Sequence, residues 1–331
     1  MLPFRFFLPR CTLLTSALAF LFLGLAPVQA DLVWRPDTGW QFEGGIFAPE
    51  EAEEVGVTAL SLMNEARELA EQGKDRQALR RYRRVIRDYD QSIFAPEALF
   101  QSALIRVERK QWRQAMTALN TIVENYPGFP KFNELIALQF DIAEAMRQGA
   151  RLRLAGTLPG FRSKETAIEF YETVIRNGPF TEFAPLALTR IAEIELSRRN
   201  PEEAIDAFDR LINEYPRNAL APESYLGLAE AFSLLVMGPE YDQGATRQAI
   251  AFYEDFLILF PQHERVADAE AGLAEMREML ARSRLLIGDF YKFRRRNHVA
   301  ARVLYNETIT TAPNSPSAEL ARKRLANLRE Q

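Results

Sequence analysis

One helical phrase, written six times, constrains this chain more than any other feature. "QALRRYRRVIRDYD" (77–90), "RQAMTALNTIVENYP" (113–127), "ETAIEFYETVIRNGP" (165–179), "EEAIDAFDRLINEYP" (202–216) and "RQAIAFYEDFLILFP" (247–261) align without gaps, and "HVAARVLYNETITTAP" (298–313) follows them more loosely. Each has a small residue followed four positions later by an aromatic or leucine: Ala78/Tyr82, Ala115/Leu119, Ala167/Tyr171, Ala204/Phe208, Ala249/Tyr253 and Ala301/Tyr305. Residues four apart share one face of a helix, so the spacing predicts an amphipathic helix with a fixed small–large pair on its buried side. In 201–216 that side holds Ala204, Phe208, Leu211 and Tyr215, joined by Ile205 and Ile212. Pro201 suits a first turn, where its missing N–H costs nothing, and Glu202 and Glu203 suit the positive end of the helix dipole. Pro127, Pro179, Pro216, Pro261 and Pro313 then stop five of the helices, and Asp90 stands in that place in the first.

A second helix precedes the phrase, as in "FQSALIRVER", "FDIAEAMRQ", "TRIAEIELS" and "LGLAEAFSL", with Ala103, Ala143, Ala192 and Ala229 at the equivalent small position. Small residues there allow two helices to approach closely, while the large aromatic fills the space between successive hairpins. The pattern resembles the tetratricopeptide repeat, which places alanines and an aromatic at these offsets and ends its unit with proline. The fold expected is all-α, a right-handed superhelical solenoid of tetratricopeptide-type helix hairpins. Its repeats end near 90, 127, 179, 216, 261 and 313, and a terminal helix follows. "IFAPE" at 46–50 and 93–97, with "EFAPL" at 182–186 and "ALAPE" at 219–223, reads as the turn between units, its Pro and Glu starting the next helix.

Ahead of the solenoid, expected at 59–331, lie two different segments. Residues 1–30 carry Arg5 and Arg10, no acidic residue, a long apolar run and a Val28-Gln29-Ala30 ending, the grammar of a cleaved secretory signal. Removing its two arginines leaves 39 basic against 45 acidic residues, a net charge of −6 (41 − 2 − 45). A mildly acidic exported protein argues against nucleic-acid binding. The one cysteine, Cys11, stands ahead of the apolar run rather than just after it, so no lipid attachment is expected there. Residues 31–58 read as an irregular arm and capping segment, with Trp34 and Trp40 docking on the first helix rather than holding a ligand.

Between repeats the spacing of the prolines grows from 37 residues (179 to 216) to 45 (216 to 261) and 52 (127 to 179, and 261 to 313). The extra residues form a basic insertion at 149–164, a loop at 234–248 and one long helix through "HERVADAEAGLAEMREMLARSRLLIGDFYKFRRR". On that helix Leu273, Met276, Leu280 and Ile287 are expected to hold one face.

These late features are similar to the BamD family, helical-repeat components of the outer-membrane β-barrel assembly machine. "YDQGATRQAIAFYEDFLILFP" and "IGDFYKFRRRNHVAARVLYNETITTAPNSPSAELA" carry the resemblance, which covers roughly 165–331. It implies a non-enzymatic periplasmic protein at the inner face of the outer membrane, peripherally attached. Its partners would be a BamA-like subunit and unfolded outer-membrane protein clients, and it would need no cofactor. Members of that family are usually lipoproteins; this chain also has further repeats at 59–127 and ends after the first helix of a last repeat. The alternative is a periplasmic scaffold coordinating peptidoglycan synthesis with division, similar to CpoB-type proteins, although 31–75 shows no sustained heptads.

Nothing in the sequence argues for catalysis. "HERVA" at 263–267 half-matches the zinc motif HExxH but lacks its second histidine, and no phosphate-binding glycine loop or GxSxG elbow occurs. The interaction candidates are charged and aromatic. Residues 277–302 hold eight basic residues against Glu278 and Asp289, and we expect Tyr291, Arg294, Arg295, Arg296 and Arg302 to contact an acidic partner surface or anionic lipid. Tyr241, Asp242 and Arg247 are further candidates in the insertion loop.

Overall fold

The structure is a computed structural model, and it describes residues 31–35, 39–43, 50–154, 158–159 and 162–329. The signal-peptide expectation for 1–30, Cys11 included, lies outside the described residues, as does most of the first "IFAPE". The chain divides into two compact units, 1–105 and 106–331.

The first unit opens with an antiparallel pair, β1 (Asp31–Arg35) and β2 (Gly39–Glu43), in a register that sets Leu32 opposite Phe42 and Trp34 opposite Trp40. The expectation of an irregular arm is thus corrected. The reason is visible in "DLVWR" and "GWQFE", two short runs rich in aliphatic and aromatic residues that favour extended backbone. Where the Trp34 and Trp40 side chains dock is outside what the structure describes. Helix α1 (Glu50–Glu71) follows, running without a break across the 58/59 boundary drawn from the sequence. With α2 (Asp75–Asp88) and α3 (Phe94–Glu108) it encloses a core of Met63, Ala66, Ala78, Tyr82, Val85, Phe94 and Ala98.

The second unit continues with α4 (Trp112–Asn125), α5 (Phe132–Arg147), the two-residue strands β3 (Arg153–Leu154) and β4 (Leu158–Pro159), α6 (Lys164–Asn177), α7 (Phe183–Ser197), α8 (Pro201–Glu214), α9 (Ala221–Leu234), α10 (Gly244–Leu259), α11 (Val266–Phe293), α12 (His298–Thr311) and α13 (Pro316–Arg329). Each helix from α5 onward packs on the next in sequence, and α4/α6, α5/α7, α9/α11 and α11/α13 also touch. Hairpins stacked in this way, each contacting its sequence neighbours, make a helical solenoid.

The repeated phrase has one structural meaning throughout. Helices α2, α4, α6, α8, α10 and α12 end at Asp88, Asn125, Asn177, Glu214, Leu259 and Thr311, each two residues before position 90 or its equivalent proline. The residue between adopts nearly the same non-helical conformation in all six, with φ between −128° and −142° and ψ between 43° and 77°. Proline disfavours the α conformation in the residue before it, which explains five of the stops. Tyr89, followed by Asp90, takes φ −135°, ψ 43° without that help. All six small–large pairs are buried, with every small member fully so.

The "FAPE" turn needs a correction. Helix α3 begins at Phe94 and α7 at Phe183, so Phe and Ala are the first residues of the helix, not of a preceding turn. Pro96 and Pro185 fall in the first turn, where the backbone N–H has no intrahelical acceptor to lose.

Candidate protein-interaction surface

Helix α11 is twice the length of most others because it serves two hairpins. Its first half sends Ala269, Leu273 and Met276 into a core shared with α9 and α10. Its second half sends Leu285 into a core with Ala301, Tyr305, Ala321 and Leu328 of α12 and α13. Close approach is allowed by Gly288, where a Cβ would lie 2.8 Å from a ring carbon of Tyr305. The Tyr305 hydroxyl donates to Asp289 at 2.6 Å, and Arg324 Nε of α13 approaches the same carboxylate oxygen at 3.2 Å. Burial raises the Tyr305 pKa, and the hydrogen bond to Asp289 raises it further. Three helices are thereby tied at one carboxylate.

Beyond this joint α11 becomes apolar on a second side. Ile287, expected on the core face, is 39% exposed, and Leu286, Phe290 and Phe293 are exposed with it. The spacing 286, 290, 293 is a helical stripe separate from the Leu285–Gly288 contact. Helix α12 adds exposed Val299 and Val303 just past the turn. Isolated surface hydrophobics are ordinary; six near one turn make this a candidate interaction surface.

That turn, 294–297, carries the arginines. Its backbone is satisfied internally: Arg294 N–H and Arg295 N–H both donate to Phe290 O, and Asn297 N–H donates to Tyr291 O at 2.9 Å. Asn297 Oδ1 accepts from Ala300 N–H at 3.0 Å and so caps α12. Arg296 takes φ 52°, a left-handed conformation that closes the turn. Arg294, Arg295 and Arg296 are all exposed, as is Arg302 on α12. The Arg295 guanidinium lies 5.5 Å from the Phe290 ring centroid, and Arg324 lies 5.2 Å from that of Phe293, so cation and aromatic face share one surface. Tyr291 behaves differently from the other four: it is half-buried, packed on the α11–α12–α13 core and edge-on to Phe290 at 5.7 Å.

The insertion-loop candidates sit elsewhere, between α9 and α10. Tyr241 is 59% exposed, Asp242 accepts from Gly244 N–H at 2.8 Å, and Arg247 is exposed on the first turns of α10. The residue that shapes this loop is Gln243, which sequence reasoning missed. It is buried, donates from Nε2 to Gly238 O and Tyr241 O at 2.9 Å each, and accepts from Thr246 Oγ1 at 3.0 Å. The exposed apolar stripe was also missed, although "LLIGDFYKF" holds six large apolar or aromatic residues in nine, more than one core face needs.

Among the described residues no helix is long and apolar enough to cross a membrane. Nor could any group of three or more His, Cys, Asp or Glu there hold a metal ion.

Comparison with known proteins places these features in a family. A tetratricopeptide-repeat model matches 97–128. The outer membrane protein assembly factor BamD of Caulobacter vibrioides is 26% identical over 125 residues, 38% of this chain and 41% of that protein. The BamD of Rickettsia prowazekii is 26% identical over 143 residues, 43% of this chain and 57% of that one. The match therefore spans about half the length of these relatives. The YfiO family model, described as outer membrane lipoprotein, matches 165–331, which is 167 of the 331 residues and takes in α7 to α13 with the whole α11–α12 surface. On that match the chain belongs to the YfiO outer membrane lipoprotein family.

Proposed function

We propose that the protein acts in the assembly of outer-membrane β-barrel proteins, as a binding component at the periplasmic face of the outer membrane. The observation that carries this reading is the exposed apolar and basic surface on α11 and α12, inside the segment matched to the family. Apolar side chains rimmed by exposed arginines suit a protein surface with an apolar centre and an acidic border. We assign this surface to a BamA-like subunit. Unfolded outer-membrane protein segments would bind along the hairpins, where a long surface of distributed polar and apolar contacts can hold an extended chain. Both relatives are assembly factors, and this argues for the assembly role over a division scaffold.

The test is mild-detergent co-purification from envelopes with partners identified by mass spectrometry, using the wild-type chain and the Arg294→Glu, Arg295→Glu, Arg296→Glu triple variant. A stoichiometric β-barrel subunit with periplasmic domains, recovered with the wild type and at least tenfold depleted with the variant, is expected. Recovery of peptidoglycan enzymes or division proteins instead would refute the assembly role. Equal recovery of the barrel subunit by both chains, at low and moderate salt, would free the arginines from it.

A further inference from the structure

Helix α2 carries a second charged surface, and it lies outside the segment matched to the family. Its sequence "DRQALRRYRRVIRD" has six arginines against two aspartates. Ala78, Tyr82 and Val85 are its buried side. At about 100° per residue, Arg76, Arg80, Arg83 and Arg87 fall within about 60° of one another, on the side opposite that core. All four are exposed, and Arg84 flanks them. From Arg76 to Arg87 the row runs about 16 Å along a straight helix.

Of the two aspartates of α2, Asp75 stands beside Arg76 at the start of the row and Asp88 at its end. Asp88 takes Arg87 at 2.6 Å and Arg84 at 3.6 Å, and Glu65 of α1 takes Arg81 at 2.8 Å. Among the described residues Arg76, Arg80 and Arg83 have no ion-pair partner. None of the exposed large apolar side chains lies on α2.

We propose that this row is a docking surface for an anionic phospholipid bilayer. The geometry favours a membrane over an acidic protein. A protein interface of useful affinity needs a desolvated apolar centre, and this face has none. A flat, densely charged surface needs only a coplanar row of cations, each held near the headgroup phosphates without insertion. Guanidinium groups suit phosphate oxygens because their planar forks can donate two parallel hydrogen bonds. The chain as a whole has a net charge of −4, so the row is a local reversal of sign rather than part of a generally basic protein. Peripheral attachment by α2 is independent of the partner assigned to the α11–α12 surface.

The experiment is co-sedimentation of the purified protein with vesicles of phosphatidylcholine mixed with phosphatidylglycerol, and with vesicles of phosphatidylcholine alone. The Arg76→Gln, Arg80→Gln, Arg83→Gln variant is compared with wild type and with an Arg217→Gln, Arg322→Gln, Lys323→Gln control, three exposed cations away from α2. Glutamine keeps helix propensity, and thermal melting by circular dichroism checks that each variant folds. The wild type and the control are expected to bind only the anionic vesicles, and less so as salt rises. The α2 variant should lose on the order of a hundredfold in partition coefficient at low salt, from about fivefold for each of the three arginines. Failure of the wild type to bind anionic vesicles would overturn the proposal, as would undiminished binding by a folded α2 variant. A variant that keeps vesicle binding but loses a co-purifying acidic protein would reassign the row to that protein.

Discussion

Gly227 of α9 has no side chain because the ring of Phe208 occupies the place one would take. A Cβ there would stand 2.5 Å from Phe208 Cζ and 2.6 Å from Cε2, closer than any real contact. The Gly227→Ala variant is therefore expected to lose about 1–3 kcal/mol of stability, the usual cost of overpacking a tight core. Gly128→Ala, where a Cβ meets nothing within 4 Å, is the control expected to be neutral. Urea denaturation of both variants decides the point. Polar anchors follow the same logic one residue further on. The Tyr171 hydroxyl of α6 donates at 2.5 Å to Glu144, next to the small residue Ala143; Glu144 also takes Arg147 and lies 3.8 Å from Arg190 Nε of α7. Asp289, next to Gly288, receives Tyr305 in the same way. The Arg147 hydrogen bond, opposed by burial and aided by Tyr171, holds the Glu144 pKa at about 2, below its usual 4.5. A carboxylate depressed by folding stabilises the native state above its unfolded pKa and loses that contribution as pH falls through the folded value. Melting temperature should consequently fall between pH 4.5 and about 2 in the wild type. In Glu144→Gln the fall should be shallower, and the melting temperature at neutral pH lower; parallel pH profiles would refute this role.

At the scale of elements, the turns inside hairpins share a device that no side-chain pattern announces. Gly73, Lys110, Gly149 and Arg199 each take positive φ, between 58° and 95°, just past a helix end. The next residue donates back five positions: Lys74 to Leu69 O, Gln111 to Arg106 O, Ala150 to Ala145 O and Asn200 to Glu195 O. This is the left-handed helix cap that satisfies orphan carbonyls, and glycine fills it without steric cost. Two of the four sites hold long cationic residues instead, so glycine-based reading of the sequence finds only half of them. Arg199→Gly is expected to stabilise the protein by up to about 1 kcal/mol, the left-handed strain relieved less the added chain entropy. A thermal melt measures it, and a lowered melting temperature would show that the Arg199 side chain holds contacts worth more than the strain. The helix stops, by contrast, were legible, because proline imposes its constraint on the residue beside it. The strands β1 and β2 were not: two runs of five residues within a helical protein carry too weak a signal to outweigh Pro36, Gly39, Gly44 and Gly45.

Across the second unit the hairpins stack in order, so stability should be distributed by position. Helices α7 and α8 have packed neighbours before and after them, whereas α13 packs on α11 and α12 alone among the described residues. In a linear array each hairpin gains from each neighbour, and an element with fewer packed neighbours opens first. Native-state hydrogen exchange should accordingly show amides of α13 exchanging well before those of α7 and α8; uniform protection across the unit would mean that it unfolds as one block.

The sequence alone determined the helical class, the repeat length, the buried small–large pairs and the family, because each rests on local periodicity or on short motifs that act through neighbouring residues. It also pointed to the arginines of 294–296. Only the tertiary structure decided which apolar residues of α11 lie outside the core, that Tyr291 is drawn inward, that Gln243 staples its loop, and that four arginines of α2 form one open row. Those outcomes depend on what packs against each face, and a helix has the same period whether a given face meets a neighbour or water.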